Sequence, residues 1–122
     1  MYYHKTMKKM ILAGAFVALL ASCGTSAPKD LYSWYDYEDA TYNYSKKQTD
    51  ELKLKMTEQY LKLIKNQKGT RKVVPPGLYA EYGYILYMGG KKDEGLSFLK
   101  QEIQLYPESE TYISRIIKQL EK

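Results

Sequence analysis

Pro75-Pro76-Gly77, Gly89-Gly90 and Pro107 divide the second half of this chain into short stretches, and each stretch repeats its apolar residues at intervals of three and four. That spacing marks one face of an α-helix, whereas a half-buried strand would alternate. Asp50 to Gln67 is the clearest case, with Leu52, Met56, Tyr60, Leu63 and Ile64 in one stripe. Thr49 or Asp50 suits the N-cap, Lys62, Lys65 and Lys68 suit the negative end of the helix dipole, and Gly69-Thr70 is the expected stop. Leu78 to Met88 is the next helix, with Tyr79, Tyr82, Ile85 and Leu86 inward. Asp93 to Tyr106 carries Leu96, Leu99, Ile103 and Tyr106, and Pro107 ends it. Glu110 to Leu120 repeats the pattern behind an expected Ser109 N-cap. A less regular helix, rich in Tyr and Asp, is expected from Trp34 to Ser45. Between the second and third helices Pro75 drives Val74 into extended backbone, and Pro76 is expected in the first helical turn. The expected fold class is all-α.

The other constraint lies at the start. Residues 11–20 are ten uncharged residues in a row, preceded by Lys5, Lys8 and Lys9, and no acidic residue occurs before Asp30. A helix needs about 20 apolar residues to span a bilayer, so this run is too short for an ordinary anchor and reads as a secretory signal. Leu20-Ala21-Ser22-Cys23 resembles the lipobox of bacterial lipoprotein precursors. The resemblance implies cleavage between Ser22 and Cys23, a diacylglyceryl group on the Cys23 thiol and an acylated new amine. Gly24 in place of aspartate implies sorting to the outer membrane, facing the periplasm. Met7 opens a more compact signal and is an alternative start. The expected organisation is a signal peptide over 1–22, a lipidated N-terminus and tether over 23–33, and a helical domain over 34–122. Membrane attachment is expected through the N-terminal acyl chains.

Composition then removes most chemistry. The lone histidine, His4, and the three signal lysines leave with the signal. The mature chain from Cys23 onward has sixteen basic and fourteen acidic side chains, a net charge of only about +2. Nucleic acid is therefore not an expected partner. Lys46-Lys47, Arg71-Lys72 and Lys91-Lys92 read as solvated pairs. Without histidine or a free thiol, nucleophilic triads and His- or Cys-based zinc sites are excluded after export. Neither a metal nor a cofactor is expected, and the chain is not expected to be an enzyme. Gly83 to Lys91 lacks the spacing of a phosphate loop. Asp36, Glu38 and Asp39 form one acidic cluster. It supports an alternative reading, an envelope polysaccharide binder or carboxylate-based hydrolase.

Residues 76–109 resemble a tetratricopeptide repeat through Tyr79, Tyr82-Gly83, Leu86, Gly95, Leu99 and Pro107. In such a hairpin the large residues fill the space between paired helices, and Gly83 and Gly95 let the backbones approach. The chain departs from the pattern at Glu102, where a small residue is wanted, and at Gly95, which stands in place of alanine. The first hairpin would be a divergent copy and the last helix a cap. Tyr84 and Tyr87 fall on the concave side of the first helix of the pair, and with Met88 they are the candidate partner-binding residues.

Across Leu31 to Ile117 the chain resembles a family of small bacterial outer-membrane lipoproteins of unknown function. The resemblance is carried by Tyr32-Ser33-Trp34-Tyr35-Asp36-Tyr37-Glu38, Val74-Pro75-Pro76-Gly77-Leu78-Tyr79-Ala80 and Tyr106-Pro107-Glu108-Ser109, with Trp34-Tyr35 where the family usually has Trp-Gly. It implies a tetratricopeptide-type lipoprotein encoded beside a CsgG-like curli-secretion lipoprotein and another small lipoprotein. The expected function is a lipid-anchored adaptor that binds such an envelope protein. A purely structural envelope lipoprotein is a further alternative.

Overall fold

Two glycines let a pair of helices meet backbone to backbone. A Cβ on Gly83 would lie 2.6 Å from the Gly95 carbonyl oxygen, and one on Gly95 would lie 2.5 Å from that of Gly83. Backbone meets backbone there, so α3 (Leu78–Met88) and α4 (Lys92–Leu105) form a tight antiparallel hairpin. Gly90, at φ +95°, turns the chain between them.

The computed structural model describes residues 29–122. Among these the chain is all-helical. α1 (Tyr37–Lys46) and α2 (Asp50–Lys65) precede the hairpin, and a 3₁₀ turn (Pro107–Ser109) leads into α5 (Glu110–Leu120). The signal segment, the Ser22/Cys23 cleavage site and the Cys23 lipidation site lie outside the described residues.

The apolar stripe of α2 buries Met56, Tyr60 and Leu63 against Val74, Leu78, Tyr82 and Leu86. Leu99 of α4 and Ile113 of α5 are also buried. α1 buries no residue fully; it leans on this core through Tyr37, Ala40 and Tyr44. The two halves are joined largely by rings. Tyr32, Trp34, Tyr37, Tyr60, Tyr82, Phe98 and Tyr79 form an unbroken series, with successive centroids 4.9–6.3 Å apart. These are favourable aromatic separations, and they account for much of the tyrosine content.

Several local expectations change. The first helix starts at Tyr37, because Tyr35 has φ +48° and cannot continue a helix back to Trp34. Pro76 lies outside α3; Gly77, at φ +88°, holds the N-cap position. Thr49 rather than Asp50 caps α2, accepting from the Leu52 N–H. Ser109 precedes α5 but makes no cap bond; its hydroxyl donates to the Tyr106 carbonyl. α2 ends at Lys65, before Gly69. Gly69 instead admits a strap, since a Cβ there would collide with the backbone of Leu31 and Tyr32.

That strap, residues 30–36, runs along the end of α2 and the connector after it. Thr70 and Arg71 N–H groups donate to the Asp30 and Leu31 carbonyls. Gln67 accepts from the Ser33 N–H and donates to the Ser33 carbonyl. The Tyr35 hydroxyl donates to the Asn66 carbonyl, and Gln59 accepts from the Asp36 N–H at 3.2 Å.

Candidate functional site

α3 is the wall shared by two surface clefts. On one side Gly77, Ala80 and Tyr84 face Tyr112, Ile116 and Leu120 of α5 across a cleft of about 680 Å³. On the other side Tyr84, Ile85 and Met88 face Tyr44 and Met56 across about 310 Å³. Tyr84 stands between the two and is 47% exposed, while Met88 is 64% and Tyr112 69% exposed. The cause lies in α5, whose apolar residues exceed what the hairpin can cover. Ile113 is buried, but Ile116, Ile117 and Leu120 are only partly so. An apolar face of this kind, left open to water, is a feature of interaction surfaces.

The three candidate binding residues have different surroundings. Tyr84 and Met88 project into the clefts. Tyr87 is half-buried, and its hydroxyl donates to the Leu120 carbonyl at 2.7 Å. It thereby ties the end of α5 to α3, and a Cβ on Gly95 would come within 2.9 Å of the Tyr87 Cβ. Of the hairpin motif, Leu99 and Tyr82 are buried, Pro75 lies inside, and Tyr79 stacks on Phe98. Pro107 opens the 3₁₀ turn, and Trp34 packs between Tyr32 and Tyr37.

Two carboxylates organise the framework, and their sequence positions alone identify neither. Glu102 is 2% exposed and accepts from the Gly77 N–H at 2.7 Å and the Ala80 N–H at 3.3 Å. It supplies the anionic cap that α3 lacks, because Gly77 has no side chain to cap with. The residue that departs from the repeat pattern is therefore structural, and a small residue there would orphan two donors. Glu81 accepts from the hydroxyls of Tyr37 at 2.5 Å and Tyr60 at 3.0 Å, clamping the first hairpin onto the second. Burial, reinforced by Glu81, pushes the Tyr37 phenol up to about 12 and raises that of Tyr60. Burial and then Tyr32 push Tyr106 up to about 12; its hydroxyl donates to the Val74 carbonyl at 2.6 Å.

Asp36, Glu38 and Asp39 are all exposed at the start of α1. Among the described residues no group of three or more acidic, His or Cys side chains is placed to hold a metal ion, and no helix is long and apolar enough to cross a membrane. No curated protein and no solved structure matches the chain. Residues 31–116 match the family described as a domain of unknown function, DUF4810. The match begins at the strap and runs into α5, across both hairpins and the clefts, and the chain belongs to that family.

Proposed function

We propose that this protein is a non-catalytic adaptor, lipid-anchored through Cys23 to the periplasmic face of the outer membrane, with a tetratricopeptide-like domain that binds an envelope protein. The observation that carries the reading is the open apolar surface around Tyr84, between α5 and the end of α1. α5 keeps Ile116, Ile117 and Leu120 only partly covered, and helical repeats bury such faces only against neighbours. A partner helix laid along Tyr84, Tyr112 and Ile116 would complete the stack. The lipobox resemblance supports the anchor, and the family resemblance supports a CsgG-like lipoprotein or another small lipoprotein as the partner.

Crosslinking and affinity capture of the full-length, C-terminally tagged protein from its own membranes tests this. A CsgG-like or other lipoprotein recovered in stoichiometric amount, and lost with Tyr84→Ala/Met88→Ala, is expected. The Tyr87→Phe protein, which lacks only the hydroxyl bond to Leu120, should retain it. Recovery of no partner above background overturns the adaptor reading.

A further inference from the structure

Among the described residues, the end of α2 and the connector after it carry a long run of a single charge sign, while the strap over them carries Asp30 and Asp36. Between Glu58 and Glu81 there is no acidic residue, and there are five basic ones: Lys62, Lys65, Lys68, Arg71 and Lys72. All five are exposed. None of them is in an ion pair, the one pair among the described residues being Lys55 with Glu51. In sequence Arg71-Lys72 reads as an isolated pair, but the fold draws these cations into one edge by hydrogen-bonding residues 30–36 along 59–71. The Lys62 ammonium sits 4.4 Å above the Tyr35 ring. The Lys68 N–H donates to the Ser33 hydroxyl, and the Arg71 N–H to the Leu31 carbonyl.

To these cations the strap adds Leu31, 55% exposed, and Trp34, 44% exposed. Long cationic side chains beside an uncovered Leu and Trp are what an anionic lipid interface selects. The ammonium and guanidinium groups reach headgroup phosphates, and the Leu and Trp side chains replace water in the interfacial layer.

We propose that this edge docks on an anionic phospholipid bilayer, Lys62, Lys65, Lys68, Arg71 and Lys72 facing headgroup phosphates and Leu31 and Trp34 entering the interface. The placement deepens the anchoring reading and rests on it in one respect. Lys29 is six residues past Cys23, a reach of roughly 20 Å when extended, so an acylated Cys23 would hold the strap edge against the membrane. The docked edge fixes the orientation of the domain, which acyl chains on a free tether would leave open.

The test uses the full chain carrying Cys23→Ser, which cannot be acylated, sedimented with vesicles of phosphatidylcholine alone or mixed with phosphatidylglycerol. The leader is common to every variant, so differences between them belong to the folded surface. Binding to the anionic vesicles is expected to be stronger, to fall as salt is raised, and to weaken at least about tenfold with Lys65→Glu/Lys68→Glu/Arg71→Glu. Lys100→Glu/Lys118→Glu/Lys122→Glu changes net charge equally on other exposed positions and should bind like the parent. Unchanged thermal melting of both triple variants checks that folding is intact. Equal binding to both vesicle types, or a strap-edge variant that binds like its parent, overturns the proposal. Equal losses from the two triple variants overturn it as a net-charge effect. The anchor is judged separately, from the mass of the N-terminal peptide of the wild-type protein.

Discussion

The two hairpins differ in what lets their helices meet. α3 and α4 approach most closely where side chains are absent, glycine against glycine, with Phe98 packed on Tyr79 and Tyr82 beside that contact. α1 and α2 meet where side chains are largest, and α1 reaches the core only through tyrosines and an alanine. A glycine contact tolerates almost no change, because neither carbonyl can move without moving a helix. A ring contact spreads the same task over several adjustable partners. The second hairpin thus acts as the rigid reference against which the first, the strap and α5 are placed.

The sharpest way to break this contrast is Gly95→Ala. Alanine gains about 1 kcal/mol of helix propensity over glycine, but its Cβ would lie 2.5 Å from the Gly83 carbonyl oxygen and 2.7 Å from the Tyr87 N–H nitrogen. Overpacking against rigid backbone should win, with a net loss of about 2–3 kcal/mol in urea unfolding. Next is Glu102→Ala, which orphans the Gly77 and Ala80 N–H groups and opens a buried space; about 2–3 kcal/mol is expected. Glu102→Gln keeps one acceptor and should recover about half of that loss.

Glu81→Gln tests the joint between the hairpins and should cost about 1–2 kcal/mol. Its more specific signature is at alkaline pH. The Tyr37 phenol is held at about 12 in the folded protein, against about 10 when unfolded. The folded state therefore keeps its proton where the unfolded state has lost it. This contribution to stability is complete below about pH 10 and is lost as pH rises from about 10 to about 12. Phenolate absorbance of the Glu81→Gln protein should show Tyr37 titrating lower, still above 10 because burial is the larger cause. The smallest effect belongs to Thr49→Ala, which removes the cap of α2 and should cost about 1 kcal/mol. Amide exchange should quicken first in α1 and the start of α2 while α3 and α4 stay protected. Equal loss in both hairpins would mean that they unfold as one unit and that the contrast has no energetic meaning.

Helix existence was legible from the spacing of apolar residues, and so was the glycine pair, because Gly83 and Gly95 sit at the positions where a hairpin needs them. Long-range partners were not legible. Glu102 looks like a misplaced charge until the N-terminus of α3, twenty-five residues earlier, is seen to lie against it. Gly69 looks like a helix stop because nothing local reveals that a strap crosses it. Tyrosine is the deeper difficulty: the same side chain serves as core in Tyr60 and Tyr82, as a tie in Tyr87 and as open surface in Tyr84. Its amphipathic ring suits all three environments, so pattern alone cannot sort them. The candidate surface was visible in Tyr84 and Met88, while its second wall on α5 depended on how the last helix settles.

The aromatic series has an optical consequence. Trp34 is the one tryptophan in the chain, and its ring centre lies 5.5 Å from that of Tyr37 and 6.3 Å from that of Tyr32. Light absorbed by the neighbouring tyrosines should therefore be emitted largely by this indole, which sits on the strap with part of its ring in water. Its emission colour would report the polarity at that edge, and the fraction of energy received from tyrosine would report whether the strap still lies on α2. The protein carries, without any label, a fluorophore on the strap itself.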